Sequence, residues 1–267
     1  MEFTKMNGAG NDFVITDNRT VKANYSQKTI ANLCDRNRGI GADGFMSVET
    51  AERDGDYKMR YYNADGGEAE MCGNGARCFA RFVYDCDGEI NPSMNIETVA
   101  GIISAEIKNN LVQIKLSQPF DLKLNQEIKI DDSNKTIHSM NTGVPHAVLI
   151  EDELSQVDIK ELGSIVRNHT LFSPDGTNVN FVQINKSDTL TIRTYERGVE
   201  DETLACGTGM VASALIHHQL NGINPPAYVT VKGGDTLEVS WHYNNNQYSN
   251  VTLKGPAISV FTGKIHV

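Results

Sequence analysis

Two four-residue strings carry the chemistry that can be read from this chain: Cys72-Gly-Asn-Gly and Cys206-Gly-Thr-Gly. Each follows the same succession. A strand-like run ends ("KMRYYN", "TIRTYE"), a polar loop comes next, then the cysteine turn, then an apolar helical pattern. A cysteine so placed sits at the leading edge of a helix. The first backbone N–H groups there have no partner within the helix, and the helix dipole adds about half a positive charge. Glycines let a ligand approach the backbone closely. These effects favour a thiolate and make a carboxylate site. Taking the α-proton of an amino acid leaves negative charge beside its carboxylate, and two helix N-termini aimed at that carboxylate would stabilise it with preorganised dipoles. A thiolate on one face removes the proton and a thiol on the other delivers a new one, so the centre inverts without a cofactor.

The elements that must position these turns repeat along the chain. Laid over each other with the cysteines matched, "MRYYNADGGEAEMCGNGARCFARF" and "RTYERGVEDETLACGTGMVASALI" differ by an offset of 134 positions, half the chain. That offset also pairs Tyr61 with Tyr195, Glu68 with Glu202, Val14 with Val148, Gly44 with Asn178, Asp12 with His146 and Asn63 with Arg197. The runs "FVITD", "FMSVE", "NIETVAGIISAEI", "LVQIKLS", "AVLIE", "VNFVQI", "TLTIRTYE", "YVTVKG", "TLEVSW" and "ISVFTG" read as strands. Helices are expected over 27–36, 73–86, 158–168 and 207–220. The expected fold is α/β (α+β) with two similar domains, residues 1–116 plus 256–267 and residues 117–255.

Composition narrows the rest. Lys and Arg number 24 against 34 Asp and Glu, a net charge of −10, which argues against nucleic acid or an anionic membrane as partner. No apolar run approaches the ~20 residues of a membrane-spanning helix, and no signal peptide opens the chain. A cytoplasmic location is therefore expected. Five cysteines suit free thiols in a reducing compartment, and Cys34, Cys78 and Cys86 read as packing residues. "GIGADG", Gly39 to Gly44, matches a dinucleotide fingerprint, but a helical stretch precedes it and a strand follows, the reverse of the required order. No zinc or P-loop string is present, so no metal is expected. A cysteine–histidine hydrolase would need only one cysteine turn. His217 and His218, late in a helix, read as packing or solvent-facing, whereas His146, beside a Pro turn at a strand start, is a candidate for supporting a cysteine.

With "KMNGAGNDFVI", "GIGADG", "PHAV", "GTNVNFVQI" and "YERG", the two cysteine turns resemble the diaminopimelate epimerase family from residue 1 to about 260. The resemblance implies two domains, each a mixed sheet wrapped around a central helix, with the last strand returning to the first domain and the active site in the cleft between them. It also implies a homodimer that needs no cofactor and interconverts LL- and meso-diaminopimelate for lysine and peptidoglycan precursors. Cys72 and Cys206 would be the acid–base pair. The amides of Gly73, Asn74, Gly207 and Thr208 would hold the reacting carboxylate and Glu196 the reacting amino group. Asn11, Asn63, Asn178 and Arg197 would bind the distal end, with His146 near the cysteines. Gly44 and Val144 depart from the Gln and Asn found in some members. The alternatives are a racemase of another polar amino acid on the same scaffold, and a PhzF-like isomerase or small-acid-binding scaffold without two-thiol chemistry.

Overall fold

The computed structural model describes residues 1–69, 71–130 and 133–267, and the chain divides into two units, residues 1–115 with 254–267 and residues 116–253. In the first, β1 (Glu2–Gly8) and β2 (Asn11–Asp17) form a hairpin, and α1 (Gln27–Cys34) leads to β3 (Gly44–Thr50), parallel to β2. β4 (Tyr57–Asn63) runs antiparallel to β3, and the short β5 (Glu68–Ala69) folds back on it. α2 (Gly73–Cys86) crosses to β6 (Ser93–Thr98), parallel to β4, and β7 (Gly101–Lys108) and β8 (Leu111–Lys115) continue antiparallel. The second unit holds β9 (Phe120–Ile130), β10 (Ser133–Asn141), β11 (Pro145–Ile150), α3 (Ile159–Arg167), β12 (Asn178–Lys186), β13 (Thr189–Glu196), β14 (Asp201–Thr203), α4 (Gly207–Asn221), β15 (Ala227–Thr230), β16 (Thr236–Asn244) and all but the last three residues of β17 (Gln247–Pro256). It repeats the plan: β11 and β12 are parallel, β13 is antiparallel to β12, β14 folds back on β13, and β15 lies parallel to β13. The last strand, β18 (Ile258–Lys264), returns antiparallel to β1 in the first unit.

Each unit wraps its sheet around one helix. In the first, the ladder runs β18–β1–β2–β3–β4–β6–β7–β8, and α2 touches β1 near one end and β7 and β8 at the other. A sheet that meets one helix from strands so far apart must curl. In the second, α4 touches β10 through β13, β15 and β16. The sequences of the two helices explain their place. Every residue from Asn74 to Ala80 is buried, as is every residue from Gly209 to His217, and a helix buried all round belongs inside. Full burial of one side chain such as Phe79 or Leu215 is worth about 1.5–3 kcal/mol, against ~1 for a good cap, so packing rather than capping fixes both helices. α1 and α3 lie outside and bury one face each, Ile30 and Leu33 in one case and Ile159 and Val166 in the other.

Strand registers refine the repeat. Phe45 pairs with Tyr62, and Val179 with Tyr195. Tyr62 packs with the α1 residues Ile30 and Leu33, and Tyr195 with the α3 residues Ile159 and Val166. The side chains agree, since Arg60 grips Glu68 through Nε and Nη2 as Arg193 grips Glu202. Tyr195 therefore corresponds to Tyr62 rather than to Tyr61, and Asn63 to Glu196 rather than to Arg197. Six residues separate the paired Tyr195 and Glu202, one more than the five between the paired Tyr62 and Glu68, which restores the offset of 134 at the cysteines. Likewise Phe13 pairs with Gly44 and His146 with Asn178, so the counterpart of His146 is Phe13, not Asp12.

All four expected helices form, over 27–34, 73–86, 159–167 and 207–221. "NIETVAGIISAEI" is two strands, not one, because Val99 and Ala100 turn the chain and Gly101 takes a φ of 116°. β9 and β10 escape the sequence reading: "FDLKLNQEIKI" does set Phe120, Leu122, Leu124, Ile128 and Ile130 at alternate positions, but only Ile128 and Ile130 are buried, and "SNKTIHSMN" is polar at most positions. No helix among the described residues is long and apolar enough to cross a membrane.

Candidate active site

Cys72 is the N-cap of α2, with extended backbone, and its Sγ accepts a hydrogen bond from the amide of Gly75 at 3.4 Å. Gly73 and Asn74 are the first two helical residues behind it. Asn74 is buried, and its amide group is held in line: Nδ2 donates to Asn11 Oδ1 at 2.6 Å, and Oδ1 accepts from Arg77 Nη1 at 3.0 Å. Asn11 donates in turn to Asp43 Oδ2 at 3.1 Å. Asn11 and Asn74, both expected near substrate, thus form a chain that anchors the start of α2 to the first hairpin. Asp43 also accepts from the amide of Asp12 and the guanidinium of Arg36. Burial pushes the Asp12 carboxyl up, but Arg36 and Lys5 more than offset this and hold it at about 2. A Cβ on Gly8 would lie 2.8 Å from Cys78 Sγ and 2.9 Å from the carbonyl of Asn74, so the close approach of β1 to α2 requires glycine.

Cys206 caps α4 in the same extended conformation and is 7% exposed. Its Sγ stands 3.6 Å from Thr208 Oγ1. Thr208 Oγ1 is 2.9 Å from His146 Nε2, and His146 Nδ1 is 3.1 Å from Asn180 Nδ2. The Thr142 hydroxyl donates to the Thr208 carbonyl at 2.9 Å, which ties the β10–β11 turn to the start of α4. His146, expected to support a cysteine, is reached through Thr208. It is 1% exposed, and burial pushes its ring down to about 3, with the positive charge of Arg197 adding to the effect. The imidazole is thus neutral at ordinary pH. Asn178 is buried, donates to the Pro145 carbonyl at 3.2 Å and accepts from the Arg197 amide at 2.9 Å. Glu196 ends β13 and Arg197 follows it, with Nη1 donating to the Asp175 carbonyl at 3.2 Å. Within the second unit, then, Asn178, Glu196, Arg197, His146, Gly207 and Thr208 all lie on the elements around Cys206.

Asn63 ends β4 and is exposed, accepting from the Tyr61 hydroxyl at 3.1 Å. A Cβ on Gly44 would lie 2.7 Å from both the Tyr61 ring and the Tyr62 carbonyl, so a larger residue at position 44 would have to shift the β4 backbone as well as that tyrosine. Val144 sits in the β10–β11 turn, its carbonyl accepting from the Thr142 amide at 3.2 Å.

The remaining thiols and histidines separate by burial. Cys34 and Cys78 are buried, which pushes their thiols up to about 11 and about 12, as inert packing residues. Cys86 is exposed at the end of α2, so its expected packing role does not hold. His217 is buried between the Ser187 carbonyl and Asn221, and His218 packs on Trp241, Tyr243 and Tyr248. The "GIGADG" glycines close the C-terminus of α1: the amides of Ile40 and Gly41 donate to the Leu33 carbonyl, and that of Ala42 to the Cys34 carbonyl. A helix C-terminus repels phosphate. Among the described residues, no group of three or more His, Cys, Asp or Glu could hold a metal ion.

Sequence reasoning missed Asp43, Thr142 and Asn180, and also Thr194, whose hydroxyl donates to Asn180 Oδ1 at 3.0 Å. Asn180 carried a signal. Asn180 lies inside the apolar run "VNFVQI", where an amide must find partners in the core.

The diaminopimelate epimerase family model matches residues 3–118 and 138–260. A diaminopimelate epimerase of Aquifex aeolicus (strain VF5) is 38% identical across 99% of this chain and 98% of its own length. One from Hydrogenobaculum sp. (strain Y04AAS1) is 40% identical, with the same coverage. Among solved structures, a phenazine biosynthesis protein of the PhzF family from Bacillus anthracis superposes with a TM-score of 0.74 at 14% identity, covering 100% of this chain and 99% of that one. A hydroxyproline epimerase from Agrobacterium vitis gives 0.72 at 14% identity, covering 98% and 91%. These distant neighbours share the fold, whereas the sequence relatives share the whole length at high identity, and on that ground the chain belongs to the diaminopimelate epimerase family.

Proposed function

We propose that the protein is a diaminopimelate epimerase acting in lysine biosynthesis, and that Cys72 and Cys206 invert one α-carbon without a cofactor. The observation that carries this reading is the twin cysteine turn, with each thiol at the N-cap of a buried helix and two leading amides behind it. One sulfur, as thiolate, takes the α-proton: the C–H bond breaks, an S–H bond forms, and the electron pair stays on carbon and spreads into the carboxylate. The amides of Gly73, Asn74, Gly207 and Thr208 stabilise that charge. The other thiol returns a proton to the opposite face and is left as thiolate. Glu196 holds the reacting ammonium. Arg197, whose planar fork suits a carboxylate, and Asn63 and Asn178 serve the distal end. Asn11 acts through Asn74.

The test follows the α-proton. In D₂O, without added pyridoxal phosphate or metal, purified enzyme should place deuterium at the inverted carbon of diaminopimelate, faster than at alanine, glutamate, lysine or histidine. A need for an added cofactor, or unlabelled product, overturns the two-thiol mechanism. Faster labelling of an amino acid with no distal carboxylate overturns the substrate instead. Gly44 and Val144 favour that second reading, a racemase of another polar amino acid, because each stands where some members of the family carry an amide side chain.

A further inference from the structure

The partners of Asn180 and His146 inside the second unit leave only one arrangement of their protons. Asn180 Nδ2 is 3.0 Å from the carbonyl of Ala147, which can only accept, and Asn180 Oδ1 is 3.0 Å from the Thr194 hydroxyl. These two contacts fix which end of the Asn180 amide is nitrogen. The second hydrogen of that nitrogen points at His146 Nδ1, 3.1 Å away. Nδ1 must therefore be the bare, accepting nitrogen, and the ring proton must sit on Nε2. Nε2–H donates to Thr208 Oγ1 at 2.9 Å. With one lone pair so used, the Thr208 hydroxyl has its own proton to give, and Cys206 Sγ stands 3.6 Å away. With Cys206 as thiolate, which can only accept, every bond in the chain Asn180, His146, Thr208, Cys206 donates in one direction, toward the sulfur.

We propose that Asn180 is a positioning residue that locks His146 as the Nε2–H tautomer and thereby turns the Thr208 hydroxyl toward Cys206 as a donor to its thiolate. The proposal rests on the reading of Cys206 as an acid–base group. The surroundings support it. Asn180 is wholly buried, as are His146 and Thr194. Gly209, three residues after Cys206, has no room for a Cβ, which would fall on Asn180 Oδ1, so the helix start leaves its space to this amide. A donor to a thiolate favours the charged form, and it does so most in a buried setting, where the hydrogen bond is charge-assisted. Neutral His146 delivers this bias without carrying a charge, so it does not compete with Cys206 for the substrate's proton.

Two measurements decide it. In the enzyme with ¹⁵N-labelled histidine, the resonances lost in His146→Gln should show a bare Nδ1 and a protonated Nε2, unchanged between about pH 5 and 9, where an ordinary imidazole titrates. A protonated Nδ1 in the wild type overturns the proposal, whatever the activity. In Asn180→Asp, a carboxylate that can only accept should move the proton to Nδ1. Alkylation of Cys206 by iodoacetamide at pH 7, read by mass spectrometry, gives the thiolate share. Loss of one donor to the thiolate is worth about one pKa unit, so Thr208→Val, which keeps the shape, should slow alkylation about tenfold, and Thr208→Ser should restore it. Equal rates in all three overturn the proposal even if Asn180→Asp fails to fold. A wild-type tautomer and alkylation pattern as expected, with full turnover in Cys206→Ala, would uphold the positioning chain and refute the acid–base reading.

Discussion

At the residue scale, the two cysteine caps look alike but are supported differently. Cys72 receives a backbone amide, whereas Cys206 faces a hydroxyl backed by a buried ring. The buried ring has a measurable consequence for stability. His146 is held at about 3 by burial, while in the unfolded chain it titrates near 6.5. Between those limits the unfolded state binds a proton that the folded state refuses, so stability falls as pH drops through 6.5 and continues to fall toward 3. Above 6.5 both states are neutral and the effect vanishes. His146→Gln removes the group, and its melting temperature should therefore decline less than that of the wild type between about pH 6.5 and 5. Parallel curves for the two proteins would mean that His146 charges freely in the folded state. His146 was legible as a candidate from the Pro turn beside it, but its burial and its connection through Thr208 were not, because sequence spacing does not show which loop covers a helix start.

At the element scale, the repeat was legible because glycine and cysteine at fixed spacing survive any small slip in the strands. Its register was not, because a turn can absorb one residue without disturbing the ladder on either side, and only pairing shows that Tyr62, not Tyr61, matches Tyr195. The matched hairpins also differ in energy. Glu202 has a side chain 5% exposed and is held by Arg193 and Lys232, whereas Glu68 is 36% exposed and held by Arg60. Burial pushes the Glu202 carboxyl up, and Arg193 and Lys232 more than offset it, so it stays ionised and paired. The Arg193 and Lys232 side chains are themselves 26% and 42% exposed, so their charges keep water when Glu202 is neutralised, and the loss falls between that of a buried pair and the ~0–1 kcal/mol of an exposed one. Glu202→Gln should therefore lower unfolding stability in denaturant by about 1 kcal/mol more than Glu68→Gln. Equal losses would show that water reaches both hairpins alike. Because the folded carboxyl lies below its unfolded value, this contribution is present above about pH 4.5 and is lost as pH falls below it.

At the scale of the whole molecule, one plan used twice supplies two thiols with the same local geometry, and a stereocentre has two faces. A single unit could remove and return a proton on one face only; inversion needs both. The duplicated fold and the proposed reaction therefore ask for the same thing, and they make a joint prediction sharper than loss of activity. Cys72→Ala and Cys206→Ala should each reduce inversion by well over tenfold, more than about 1.4 kcal/mol of barrier, because one face has lost its group. Each variant still keeps one thiol, and with it one face. That thiol, as thiolate, can take the α-proton from whichever stereoisomer presents it, exchange with D₂O, and return deuterium to the same side. Each variant should thus wash the α-proton out of one stereoisomer with retention and leave the other untouched, and the two variants should choose opposite stereoisomers. NMR of the recovered substrate reads both the label and the configuration. Exchange of the same stereoisomer by both variants would place both sulfurs on one face and end the two-base mechanism, whereas opposite choices would assign Cys72 and Cys206 to their separate faces.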